Sequence, residues 1–324
     1  VSECEVRSRR IVVRGTGPLV GALARVLGAE PDGAADAACA VVVVLDGGTF
    51  APVAPSKVAQ RQAETYTAVD ELAEELAPHA DGVRVVVVSS AATLGARPDP
   101  TPLTDDATVA PDLDGTALQL ALVEDHLRGA LAAAGVHPAT LRTAPLVGPG
   151  VDTMITRHFE APRLLAVRGH ARSWQFVHVD DVAAAVGVML ENGLRTDHVV
   201  GAPGALPLAH VLAVSGMRAV ELPESTALSV AERLHRAGVL PAPAADLGYV
   251  VHDWTVDPAG LLAAGWQPAW SNDDCLGVVL DDVRGRFGVA GRRVGGRDAA
   301  AVGAVGAAVA LLGTAAVRRQ LRRR

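Results

Sequence analysis

The feature that most constrains this chain is a set of strand-length runs with no polar face. IVVR at 11–14, CAVVVVLDGG at 39–48 and VRVVVVSS at 83–90 are continuous β-branched stretches, each running into a glycine or serine turn. A strand that alternated apolar and polar residues would be covered on one face only, whereas a continuous run implies cover on both. Helical periodicity separates the runs. GPLVGALARVLGA after the first places Leu19, Leu23, Val26 and Leu27 on one face, a second helix is expected over 57–77, and a third over about 115–134 before the strand ATLRTAPLVG. Strands alternating with helices predict a parallel sheet with helices on both sides.

Composition narrows the function. The chain has 324 residues, half of them apolar, enough for a sizeable core. Its net charge of −7 excludes a general nucleic-acid binder, which needs clustered positive charge. Cys4, Cys39 and Cys275 form no paired spacing, so neither a disulfide framework nor a metal site is expected. A reduced cytoplasmic setting is the simplest reading, and the short first apolar run does not resemble a signal peptide. Residues 299–317, AAAVGAVGAAVALLGTAAV, are free of charge over about one membrane span. Three glycines and the alanine content weaken a spanning role. The five arginines that follow would keep the tail on the cytoplasmic side and place the main domain outside, so membrane contact through 299–324, a docked helix and a loose appendage all stay open.

The order of elements divides the chain into an N-terminal extension (1–10), a Rossmann-like dinucleotide-binding type of domain (11–198), a smaller lobe (199–290) and an apolar helix with an Arg-rich tail (291–324). The strand and helix within 170–190 are expected to contribute to the crevice of the sheet domain. Open parallel sheets bind ligands at the carboxyl ends of their strands, where strand order reverses. The loops after IVVR, VVVVL and VVVVSS should therefore meet at one crevice.

At that crevice Gly15-Thr16-Gly17-Pro18-Leu19-Val20-Gly21 resembles the glycine-rich turn of the short-chain dehydrogenase/reductase superfamily, particularly its extended NAD-dependent epimerase/dehydratase type. Four further motifs follow in family order. VVVVSSAATLG is similar to the family strand ending in Ser-Ser-Ala-Thr-x-Tyr-Gly, LRTAPLVGPG to Leu-Arg-Pro-x-x-Val-x-Gly-Pro-Gly, QFVHVDDVAAAV to Phe-Val-His-Val-Asp-Asp-Val-Ala, and GWQPAWS to the C-terminal Gly-Trp-x-Pro motif. The resemblance implies a doubly wound α/β fold, NAD or NADP as cofactor, a nucleotide sugar or similar small molecule as ligand, and is compatible with a homodimer. By the same resemblance Gly15, Gly17, Gly21, Asp46, Gly47 and Ser89 fall at cofactor-binding positions, Ser90 at the catalytic serine, and His178 and Asp181 at the substrate pocket.

Two departures accompany the matches. The family's proton donor is a tyrosine with a lysine four residues on; registering DGTALQLALVEDHL puts Thr116 and Leu120 at those positions. The only tyrosines are Tyr66 and Tyr249 and the only lysine is Lys57, so no Tyr-x-x-x-Lys exists anywhere in the sequence. The second departure lies between Gly21 and Val41, too short for the helix, second strand, helix and third strand of the family. The residue that would read the adenosine ribose is thereby lost, with Glu30 and Asp32 as the nearest candidates. These departures predict a degenerate member without ordinary hydride transfer. Two other readings compete with it: an active enzyme using another acid such as His178, and a non-catalytic regulatory or membrane-associated binding protein. Each candidate has a plainer role as well: Ser89 and Ser90 as small residues at a tight strand exit, Asp181 as a helix cap, and His178 as a hydrogen-bonded structural histidine.

Overall fold

The computed structural model describes residues 10–35, 40–161, 163–170, 172–236, 243–284, 287–289 and 292–294. In chain order the strands of the main body are β1 (Ile11–Arg14), β2 (Glu30–Pro31), β3 (Ala40–Val44), β4 (Arg84–Ser90), β5 (Ala139–Thr143), β6 (Leu146–Val147), β7 (Arg163–Val167), β8 (Ser173–Trp174), β9 (Val177–His178), β10 (His198–Val200), β11 (Leu206–Pro207) and β12 (Arg218–Leu222). The helices used below are α1 (Pro18–Leu27), α2 (Val58–Leu76), α3 (Gly115–Ala133), α4 (Met154–His158), α5 (Val179–Glu191), α6 (Leu208–Ser215), α7 (Glu224–Arg236), α8 (Gly248–Val251), α9 (Ala259–Ala263) and α10 (Asn272–Val283).

Six strands form one parallel sheet in the order β10-β5-β4-β3-β1-β2. The expected cover on both faces is visible in how the side chains of β3 and β4 divide. Val42, Val44, Val86 and Val88 point to the front, into a core with Leu19 and Leu23 of α1 and Val182 and Val186 of α5. Val41, Val43, Val85 and Val87 point to the back, against Leu72 and Leu76 of α2 and Leu127 and Leu131 of α3. Each fully buried valine is worth about 1.5–3 kcal/mol over an exposed one, so neither face can tolerate a polar substitution in these strands.

The truncated first half takes a form the sequence did not predict. A second strand is present, shortened to Glu30–Pro31, which pairs in parallel with Val12 and Val13 on the side of β1 away from β3. Strand order therefore reverses at β1, and the switch point lies between β1 and β3. No third strand stands beyond β2 among the described residues.

The front layer continues into the lobe. Pro145 interrupts the predicted strand ATLRTAPLVG, so β5 stays in the main sheet while β6 leaves it to pair with β9. β7 and β8, from before residue 199, pair with β12 and β11, from after it. Cys275, Leu276 and Val279 of α10 join Trp174, Phe176 and Trp266 in the front core. Two buried amides fasten the joint: Gln175 bonds Ala202 and Val256, and Asn272 accepts from Phe176 N and donates to Ala202 O. The apolar segment 299–317 and its arginine tail lie outside the described residues. No helix among the described residues is long and apolar enough to cross a membrane.

Candidate functional site

The glycine turn after β1 requires its glycines at two positions. Gly15 has φ +131° and Gly17 φ +102°, backbone that side-chain-bearing residues rarely adopt, and a Cβ at either would stand 2.5–2.6 Å from a carbonyl oxygen, that of Val44 or Gly47. Gly21 has open space around it, so no close approach demands glycine there. The partner of the turn is the loop after β3. A Cβ on Gly47 would lie 1.8 Å from the Thr16 carbonyl oxygen, so the two loops touch backbone to backbone. Leu19 N donates to Gly47 O at 3.2 Å and Val20 N to Gly17 O at 3.1 Å, while Pro18, in the first turn of α1, has no N–H. Asp46 accepts from Gly48 N at 3.1 Å. Desolvation raises the Asp46 pKa, and that hydrogen bond opposes the rise. On the other side of Gly48 stands the loop after β6: Val151 is buried against Gly48, and Asp152 N donates to Gly48 O at 2.9 Å.

The pair Ser89 and Ser90 splits across the sheet. Ser90 ends β4 and its Oγ accepts from Ala92 N at 3.3 Å, capping a short 3-10 turn. Ser89 points the opposite way, to the back face, where its hydroxyl donates to Glu124 on α3. Thr116 lies at the exposed first turn of α3, and Asp246 holds both its amide (2.8 Å) and its hydroxyl (2.5 Å). Leu120 is half-buried one turn on. Neither side chain can relay a proton near neutral pH, since an alcohol is too weak an acid and leucine has no ionisable group. Tyr249 reaches this region from the lobe, but its hydroxyl donates to Ala92 O at 2.9 Å. Burial, with Asp246 and Asp112 nearby, pushes its pKa up to about 12, the direction opposite to that needed in a proton donor. Tyr66 stacks on His126 at the helix surface, and Lys57 is exposed at the start of α2.

His178 and Asp181 exchange the plain roles the sequence suggests. His178, not Asp181, caps α5: its Nδ1 accepts from Asp180 N at 3.2 Å, and the ring stacks on Trp270 with centroids 4.1 Å apart. Desolvation lowers the His178 pKa, keeping the ring neutral and its Nδ1 committed. Asp181 reaches across to the GWQPAWS loop and accepts from Ala269 N (2.8 Å) and Trp270 N (3.0 Å), while its carbonyl takes Trp266 Nε1 (3.0 Å). Burial raises the Asp181 pKa despite those two hydrogen bonds.

The most heavily charged cluster among the described residues is spelled out by no single sequence motif. Behind β4, Glu124 receives Ser89 on one oxygen and Arg142 twice on the other, at 2.7 and 3.1 Å. Arg142 also reaches Asp197 at 3.3 Å, which takes Arg128 (2.8 Å) and Thr140 N (3.0 Å). Glu124 and Arg142 are each 7% exposed at the side chain. The available signal was Glu124's place on the apolar stripe Ala117, Ala121, Leu127, Leu131, where a carboxylate needs a buried partner. Among the described residues no cluster of three His, Cys, Asp or Glu side chains could hold a metal.

A parallel sheet reversing at a glycine turn, followed by a helical front layer and a small lobe, defines a Rossmann-like α/β protein. Comparison places it more closely: residues 34–201 match the NAD dependent epimerase/dehydratase family, and the chain belongs to that family. Uncharacterized proteins of Mycobacterium tuberculosis and Mycobacterium bovis are 31% identical over 173 residues, which is 50% of this chain and 18% of theirs, so the chain spans under a fifth of the length of these curated relatives. Among solved structures it resembles a UDP-N-acetylglucosamine 4-epimerase from Bacillus cereus (TM-score 0.56, 13% identity, 86% of this chain and 100% of that one). The Thermus thermophilus UDP-glucose 4-epimerase complexed with NAD is similar (0.54, 16%, 85% and 99%), as is a human epimerase family protein with NADPH (0.56, 18%, 85% and 98%). At these identities the likeness is one of fold.

Proposed function

We propose that this chain is a member of the epimerase/dehydratase family that has given up hydride-transfer catalysis and serves as a binding domain for a nucleotide sugar or a related small molecule. The observation that carries this reading is the state of the α3 entrance. A threonine hydroxyl bound to Asp246 stands where the family's proton donor falls, leucine stands at the lysine position, and the nearest tyrosine is committed to a backbone carbonyl. The alternative acid, His178, is neutral, buried and occupied as a helix cap, which weighs against an active enzyme built on it. The relatives' greater length favours a role as one module of a larger polypeptide. The test is an assay of the purified chain with NAD(H) and NADP(H) against a panel of nucleotide sugars and ketones. No turnover above the protein-free reaction is expected. Turnover of any of them that vanishes on H178N or S90A would overturn the proposal in favour of a non-standard acid.

A further inference from the structure

We infer that the switch-point crevice of this chain is closed by its own backbone and takes no dinucleotide, so any ligand is recognised without NAD or NADP. This goes beyond the loss of catalysis, since a domain can hold a cofactor and never reduce it.

A pyrophosphate at such a crevice is held by free N–H groups at the start of the first helix. At α1 they are spent: Pro18 has none, Leu19 N–H is bonded to Gly47 O, and Val20 N–H to Gly17 O. The gap the phosphates would enter, between the turn after β1 and the loop after β3, is filled by direct contact of Thr16 and Gly17 with Gly47. That contact cannot open on one side alone. The β3 loop is also tied to the loop after β6 by Asp152 N–Gly48 O and the bridge from Thr49 to Asp152, with Val151 packed beneath. Opening the gap would expose one donor and carbonyl oxygens that repel phosphate.

The adenosine side is closed by a different device. Glu75 of α2 accepts from Arg14 at the end of β1 (2.9 and 3.0 Å) and from Ala35 N (2.9 Å), and Arg14 also donates to Gly33 O. Gly33 and Ala35, after β2, are thereby tied to β1 and α2. Glu30, a candidate ribose reader, instead pairs with Arg10 at 3.6 Å.

The test combines titration with hydrogen exchange. Calorimetry and thermal melting of the full chain with NAD, NADH, NADP and NADPH, each to about 1 mM, should show no saturable heat and no shift of melting temperature. An NAD-binding epimerase run in parallel should show both. Amide exchange followed by NMR should find Leu19 and Asp152 protected, as closed backbone bonds require, whereas a receptive helix start leaves Leu19 N–H exchanging like an open loop. A saturable dinucleotide site, or fast exchange at Leu19, overturns the inference. Binding without turnover would do so while leaving the proposed loss of catalysis intact; turnover would overturn both.

Discussion

Behind the sheet, a carboxylate is buried with its counter-ion; in front of it, a carboxylate is buried with none. Glu124 takes two Arg142 nitrogens on one oxygen, whereas Asp181 is hydrogen-bonded by the Ala269 and Trp270 amides. The contrast sets a charge-paired cluster behind the sheet against a front-side loop held by backbone amides and by the stacking of His178 on Trp270. Asp181 thereby joins α5 to the loop that carries Trp266 and Trp270.

Removing the cation behind the sheet should do the most damage. R142M leaves Glu124 charged and unpaired in a buried site, and a loss of about 3–5 kcal/mol in urea unfolding is expected. The double variant E124L/R142M should recover much of it, and if it does not, the two residues are not one coupled unit. D181A strips acceptors from two backbone amides and should cost about 1–3 kcal/mol, with a red shift of tryptophan fluorescence as the loop carrying Trp266 and Trp270 loosens. Unchanged fluorescence would show the loop is held by packing instead. D246A removes the carboxylate that receives the first turn of α3 and should cost about 1 kcal/mol, the ordinary worth of a helix cap. A loss as large as that of R142M would mean Asp246 does more than cap.

One acid-sensitive group, His158, belongs to the front face. Burial, and then the nearby Arg172, lowers the His158 pKa from 6.5 to about 3, and Leu165 N donates to its Nε2. Because the folded value lies below the unfolded one, the unfolded chain takes up the proton first. Stability from this residue is complete above pH 6.5 and is lost as pH falls toward about 3. At pH 7 it therefore contributes no charge effect, and H158F should flatten the acid limb of melting temperature against pH below 6.5; an unchanged limb would assign acid sensitivity elsewhere. Smallest of all, R236A on the exposed face of α7 breaks only an i,i+4 pair with Glu232 and should melt as the parent does.

What could be read in advance follows the physics of each signal. Side-chain periodicity located α2, α3 and the strands β3 and β4 to within a residue or so, because double-sided burial writes itself into consecutive residues. Glu30–Pro31 carries no such pattern: two exposed residues pair by backbone, so side-chain periodicity does not mark the second strand. The closing of the crevice is equally silent, since Gly47 against Thr16 is a contact of main chain with main chain that a glycine in the sequence cannot distinguish from an ordinary turn. The partners of Asp181 lie 88 and 89 residues away in the lobe, a separation that no local pattern around the first turn of α5 registers.

The shortness of β2 has a consequence for how this molecule behaves in a crowd of its own copies. A sheet edge offers unpaired N–H and C=O groups to any passing strand, a route to aggregation that long flat edges invite. Here the edge is two residues long, one of them a proline with no donor to offer and the other an exposed glutamate. With no strand beyond it among the described residues, an edge that ends on Glu-Pro offers a passing strand little backbone to pair with.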